Sequence, residues 1–243
     1  MAKIPNDPKE IFREITEDYH ALFGGDLVSI ILYGSAAGPD YRPGKSDVNL
    51  MIVLTEKGIL DLEKAFKTVA GWRKRKVDTP LFLTEDYVRT SIDVFPIEYL
   101  NIQRRYFPVY GKDILRELTF KPELLRLQCE REIKGKLLLL RRAFLETSGR
   151  HAELTRLIRD SIGAFEAIFR ALLQLKGKDA PLEKRGVIKS ACEAFDLDTP
   201  LFERLLDIRE ERIRLRDEEL NGLFKDYLRE VRKLSTQVDT LGG

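Results

Sequence analysis

Apolar residues follow two different rhythms along this chain, and the rhythm changes near residue 118. Ile11, Phe12, Ile15, Tyr19, Leu22 and Phe23 recur at helical spacing. Asp7 is placed to cap that helix, Pro8 suits its first position, and Gly24-Gly25 stops it. Residues 27–33 (LVSIILY) form a short, almost wholly apolar run, which predicts a buried strand broken at Gly34. The loop GSAAGPDYRPGKS follows, and then a second strand over residues 47–54. Its alternation puts Val48, Leu50, Ile52 and Leu54 on one face and Asp47, Asn49, Met51 and Val53 on the other. A helix is expected over 58–76, carrying Leu60, Leu62, Phe66, Val69 and Trp72. Residues 77–83 and 93–102 look like further strands, with Pro80 and Pro96 at edges or strand starts, and 108–110 makes a brief extension into Gly111.

From about residue 121 only the helical rhythm remains. Leu124, Leu127, Ile133, Leu137, Leu140 and Phe144 predict a long amphipathic helix ending near Ser148-Gly149. A second helix carries Leu154, Leu157, Ile158, Ile162, Phe165, Phe169, Leu172 and Leu173 and is closed by Gly177. Three more fit residues 187–195, 200–217 and 219–236. A mixed α/β segment followed by an all-α one predicts an α+β protein of two domains, 1–118 and 119–243.

Composition narrows the function classes. The chain has 243 residues, of which 34% are charged, yet 42 Lys+Arg against 40 Asp+Glu leave a net charge of only +2. No global field draws it to nucleic acid, and no apolar run approaches a membrane span. The opening MAKIPNDPKE carries no apolar stretch of the secretory kind, and Cys129 and Cys192 form no disulfide or zinc spacing, so a reducing cytoplasm is the expected location. His20 and His151 join no hydrolytic or metal motif, and neither a Gly-x-Gly-x-x-Gly nor a P-loop signature occurs.

The chemistry gathers around residues 34–49. Gly34 lets backbone approach a ligand closely, and Ser35 offers its N–H and hydroxyl to phosphate oxygens. Asp47 and Asn49, two apart on a strand, project to one side, and oxygen ligands so placed suit Mg²⁺ held jointly with substrate phosphates. Lys45 and Arg42, in the loop before Asp47, are candidates to touch a triphosphate. The basic run Arg73-Lys74-Arg75-Lys76 reads more simply as a helix C-terminus.

Leu32-Tyr33-Gly34-Ser35 together with Ser46-Asp47-Val48-Asn49-Leu50-Met51-Ile52-Val53 resembles the nucleotidyltransferase superfamily that includes DNA polymerase beta, the aminoglycoside nucleotidyltransferases and small antitoxin-type nucleotidyltransferases. The resemblance implies a nucleotidyltransferase-type mixed β-sheet with flanking helices, followed by a helical bundle. It implies a nucleoside triphosphate such as ATP as substrate, Mg²⁺ as cofactor, and a hydroxyl-bearing acceptor that the sequence does not name. Carried over by position, Gly34 and Ser35 would hold the β/γ phosphates, Asp47 would be the first metal carboxylate, and Asn49 stands where the family has its second acid. The third acid falls on Asp78, with Glu98 and Asp93 as alternatives.

Asn49 offers a carbonyl oxygen but removes one negative charge and cannot serve as a base. The expectation is therefore triphosphate binding, with any nucleotidyl transfer attenuated. The alternative is a catalytically degenerate fold used as a binding or scaffolding module, the helical domain being the candidate homodimer surface. In that domain Glu166–Arg170 and Arg156–Asp160 are expected to make i,i+4 pairs, and the aromatic residues Phe144, Phe165, Phe169, Phe195 and Phe224 to be core.

Overall fold

The computed structural model describes residues 3–241. Chain contacts divide it into two compact units: residues up to Asp93 with Glu98–Thr119, and Val94–Ile97 with everything from Phe120 onward.

The first unit is built on a four-stranded mixed sheet. Asp7 caps a short 3-10 turn, Pro8–Ile11, that runs into helix α1, Phe12–Phe23. Strand β1 is Leu27–Tyr33, β2 Asn49–Leu54, β3 Leu81–Thr84 and β4 Tyr106–Gly111, in the order β3-β2-β1-β4. The central strand β1 runs antiparallel to both neighbours, and β2 runs parallel to β3. A parallel pair needs a crossover, which helix α2, Phe66–Arg73, supplies. Alternation along β1 and β2 sends Ile30, Leu32, Val48, Leu50, Ile52 and Leu54 into one core with Ile11, Ile15 and Tyr19 of α1 and Trp72 of α2. Each such side chain contributes roughly 1.5–3 kcal/mol by leaving water. The indole of Trp72 also donates to Asp18 of α1 at 2.9 Å, joining the two helices that flank this face.

Several expected elements change form. Residues 93–102 are not a strand: α3, Glu85–Ser91, is followed by helix α4, Pro96–Arg104. Pro96 begins that helix, where its missing N–H costs nothing, and Ile97 and Leu100 are buried three apart. The Ile97/Tyr99 alternation that suggested a strand is part of this helical face. The stretch 108–110 is instead the middle of a full strand, β4. The helix expected over 58–76 is a 3-10 segment, Gly58–Ala65, broken at Asp61, before α2. Strand β2 begins at Asn49 rather than Asp47, and β3 at Leu81, after Pro80.

The second unit is helical. It comprises α5 (Pro122–Thr147), α6 (His151–Gly163), α7 (Glu166–Leu175), α8 (Lys184–Ala194), α9 (Thr199–Arg209) and α10 (Asp217–Asp239). Ser148 leaves α5 in a left-handed conformation, as expected at a helix end. The single helix expected across 154–173 divides at Ala164-Phe165, and α9 stops at Arg209, leaving residues 210–216 as a connection to α10. The buried phenol ring of Tyr227 sits among Phe165, Phe202 and Phe224, with centroids 6.0–6.1 Å away, so these aromatics are core. Glu166 pairs with Arg170 at 3.1 Å, but among the described residues Arg156 and Asp160 form no ion pair. No helix among the described residues is long and apolar enough to cross a membrane.

Candidate functional site

The site assembles where β1 ends and β2 begins. Tyr33 pairs with Asn49 in the antiparallel ladder, so the turn leaving β1 lies against the start of β2. Gly34 adopts φ +77° and opens a one-turn 3-10 segment, Gly34–Ala37, its N–H donating to the Arg105 carbonyl at 3.0 Å. A Cβ at Gly34 would stand 3.2 Å from Asn49 Nδ2, so the glycine allows the turn and the amide to sit together. The Ser35 carbonyl accepts from Gly38 N at 3.2 Å, and its hydroxyl has no partner among the described residues. The following loop tightens at residues 42–46. There the Lys45 and Ser46 N–H groups both donate to the Arg42 carbonyl, and the Arg42 N–H donates to Ser46 Oγ at 3.1 Å. This turn delivers Asp47 to the threshold of β2.

A single parallel bridge completes the arrangement. Val48 N donates to the Lys76 carbonyl at 2.8 Å, and Asp78 N donates to the Val48 carbonyl at 2.9 Å, so Val48 pairs with Val77. Both valines are buried in the core, and alternation therefore turns their neighbours to the opposite side: Asp47 beside Lys76, Asn49 beside Asp78. Asp47 Oδ1 lies 3.8 Å from Lys76 Nζ, an ion pair whose side chains are 56% and 46% exposed, so it adds little stability. Asp78 Oδ1 accepts from Thr79 N at 2.7 Å. Burial, followed by the Asp78 charge, raises the Tyr33 phenol, which puts Asp78 near the end of β1 as well.

Gly34, Asp47, Asn49 and Asp78 thus meet at one end of the sheet, and Ser35 continues the turn. Lys45 stays exposed, with no side-chain hydrogen bond or ion pair to these residues. Glu98 is exposed in the first turn of α4, not on a strand beside Asp47. Sequence reasoning missed three contributors. Lys76 was hidden in a basic run that read as a helix end. Tyr33 looked like one more strand residue. Arg105 has no sequence signature here, because it acts through its carbonyl and by spanning Gly38 to reach Asp40 at 2.6 Å.

The donor set can be compared with what Mg²⁺ requires. Asp47 and Asp78 flank Asn49 at this end of the sheet, the Asn49 Nδ2 lies toward the Gly34 turn, and Asp47 already meets the Lys76 ammonium. Among the described residues no group of three or more His, Cys, Asp or Glu side chains is arranged to hold a metal ion. That is short of a pair of divalent cations; a single Mg²⁺ held here would have to draw most of its ligands from substrate phosphates and water.

No protein-family model and no curated protein matches the sequence. Among solved structures the chain is similar to the spectinomycin adenyltransferase AAD(9) from Enterococcus faecialis, crystallised with ATP and spectinomycin. The TM-score is 0.54 at 12% identity, over 92% of this chain and 99% of that one. The likeness shows a nucleotidyltransferase-type fold, the mixed sheet with flanking helices followed by a helical region.

Proposed function

We propose that the protein binds a nucleoside triphosphate with Mg²⁺ and transfers its nucleotidyl group to a hydroxyl acceptor. The observation that carries this is the meeting of the Gly34-Ser35 turn with Asn49, flanked by Asp47 and Asp78. The likeness to an adenyltransferase crystallised with ATP supports the same reading.

In this reading Gly34 and Ser35 receive the β/γ phosphates, the Ser35 hydroxyl and N–H donating to their oxygens. Lys45 would add a positive charge from the exposed loop. Asp47 and the Asn49 carbonyl would hold Mg²⁺, which would supply charge neutralisation for the triphosphate. The acceptor oxygen bonds to the α-phosphorus as the bond to the bridging oxygen breaks, and pyrophosphate leaves. Asp78 would take the acceptor proton on Oδ2, its Oδ1 already accepting from Thr79 N–H at 2.7 Å. Calorimetric titration with ATP and Mg²⁺ tests the proposal, and absence of binding at millimolar ligand would sink it.

A second reading rests on Asn49 and Lys76. An amide in place of an acid and an ammonium beside Asp47 favour a fold that binds without turnover, as a partner-interaction module. Asn49→Asp separates the two. Restoring the acid raises Mg²⁺-dependent ATP affinity and transfer if the site is merely attenuated. No change in either measurement favours the module.

A further inference from the structure

The helical unit contains an open cleft of about 550 Å³, within the size range of small-molecule sites. The N-terminal half of α6 lines it with His151, Thr155, Arg156, Arg159 and Asp160, and Arg214 reaches it from the connection between α9 and α10. That connection is clasped on both sides of Arg214. Three residues before it, Glu211 pairs with Arg159; three residues after it, Asp217 Oδ1 meets His151 Nδ1 at 2.6 Å. Arg209 adds a third tie, its guanidinium donating to the Arg159 carbonyl at 2.7 Å. Arg214 is therefore carried on a backbone segment fastened to α6.

The polar groups of this cleft are incompletely used. Arg159 and His151 face Glu211 and Asp217, but among the described residues no hydrogen bond or ion pair within 4 Å reaches Arg156 or Arg214, Glu153 acting on Arg156 only at longer range. Asp160, four residues beyond Arg156 and well spaced to neutralise it, does not do so. Thr155 is the second sign. Thr16, Thr90 and Thr236 each donate to the carbonyl four residues earlier on their helices, at 2.8–3.2 Å. The Thr155 hydroxyl is buried without any partner. Leaving such a group unsatisfied costs about 1–3 kcal/mol, and a threonine on a helix has two χ1 positions open to it.

We propose that this cleft binds a small phosphate-bearing molecule, recognised by the guanidinium groups of Arg156 and Arg214 with the Thr155 hydroxyl as a further donor. Guanidinium forks match a tetrahedral oxyanion through paired N–H bonds, and two of them with a hydroxyl supply donors for several phosphate oxygens. Asp160 limits the charge the cleft tolerates and favours one or two phosphate groups over a polyanion. This cleft belongs to the helical unit, whereas Gly34, Asp47, Asn49 and Asp78 belong to the other.

Titration calorimetry of the full chain with inorganic pyrophosphate at low ionic strength tests the proposal. Wild type is expected to bind, Arg156→Ala/Arg214→Ala to lose about tenfold or more in affinity, and Asp160→Asn to gain affinity. A gain cannot arise from misfolding, so the Asp160 variant keeps the test sound if the double variant is unstable. Gly34→Ala, which alters the other unit, is expected to retain the binding that Arg156→Ala/Arg214→Ala removes. Undetectable binding at millimolar pyrophosphate would overturn the proposal. So would unchanged affinity in a folded double variant, weaker binding by Asp160→Asn, or loss of all binding in Gly34→Ala.

Discussion

Gly34 and Gly44 allow the contact between the phosphate turn and Asn49 to be isolated from backbone strain. Both have nearly the same positive φ, +77° and +74°, so an alanine at either meets a comparable left-handed penalty of about 1–2 kcal/mol. The stiffer unfolded chain offsets about 0.4–1 kcal/mol of this at each position. The surroundings differ: a Cβ at Gly44 meets nothing within 4 Å, whereas one at Gly34 stands 3.2 Å from Asn49 Nδ2. Moving that amide out of its preferred rotamer adds about 0.5–1.5 kcal/mol. Gly44→Ala should therefore cost about 0.5–1 kcal/mol and Gly34→Ala about 1–2.5 kcal/mol. At roughly 4 °C per kcal/mol for a unit of this size, thermal melting resolves the two. Calorimetry should separate them further, with ATP affinity about tenfold weaker in Gly34→Ala and nearly unchanged in Gly44→Ala. Equal melting temperatures and equal ATP affinities in the two variants would refute the claim that Asn49 rests against the turn.

Two further predictions concern the helical unit. Glu130 on α5 is bonded by Lys134 and, at 2.8 Å, by Arg126, and these hydrogen bonds pull its carboxyl from the usual 4.5 down to about 2. A depressed acid pKa stabilises the fold above the unfolded value and loses that contribution as pH falls through the folded one. Wild type should lose stability between about pH 4.5 and 2, measured by urea melts, and Glu130→Gln should flatten that limb; an equally steep limb in the variant would count against the pairing. Burial, followed by the nearby Glu230 and Asp198 charges, pushes the Cys192 thiol up to about 12, and Cys129 is buried as well. Neither should react with an aromatic disulfide reagent at pH 8 until the chain is unfolded, and rapid labelling of the native protein would contradict this.

How much of the molecule was legible depended on whether the deciding interaction is local. Strand β1 and its end at Gly34 could be read, because an unbroken apolar run bounded by glycine has few other meanings. Helix α1 could be read from its cap, its proline and its period. Residues 93–102 misled because Ile97, Tyr99 and the flanking polar positions satisfy an alternating pattern while Ile97 and Leu100 satisfy a helical one, and only burial decides between them. The site shows the same limit more sharply. The identities of Gly34, Ser35, Asp47 and Asn49 lie within sixteen residues, but their third neighbour depends on the Val48–Val77 bridge, which forms across the whole crossover. A shift of one residue in that pairing would turn Asp78 away and bring Val77 to the carboxylate side, with the same sequence. The bridge also brings Lys76 beside Asp47, which no motif announced. Asn49 therefore matters for its position as well as its type. It lies between Asp47 along the strand and Asp78 across it, and a third carboxylate there would set like charges side by side. Lys76 reaches only the outer member, so an acid at position 49 would raise the site's demand for a bound cation.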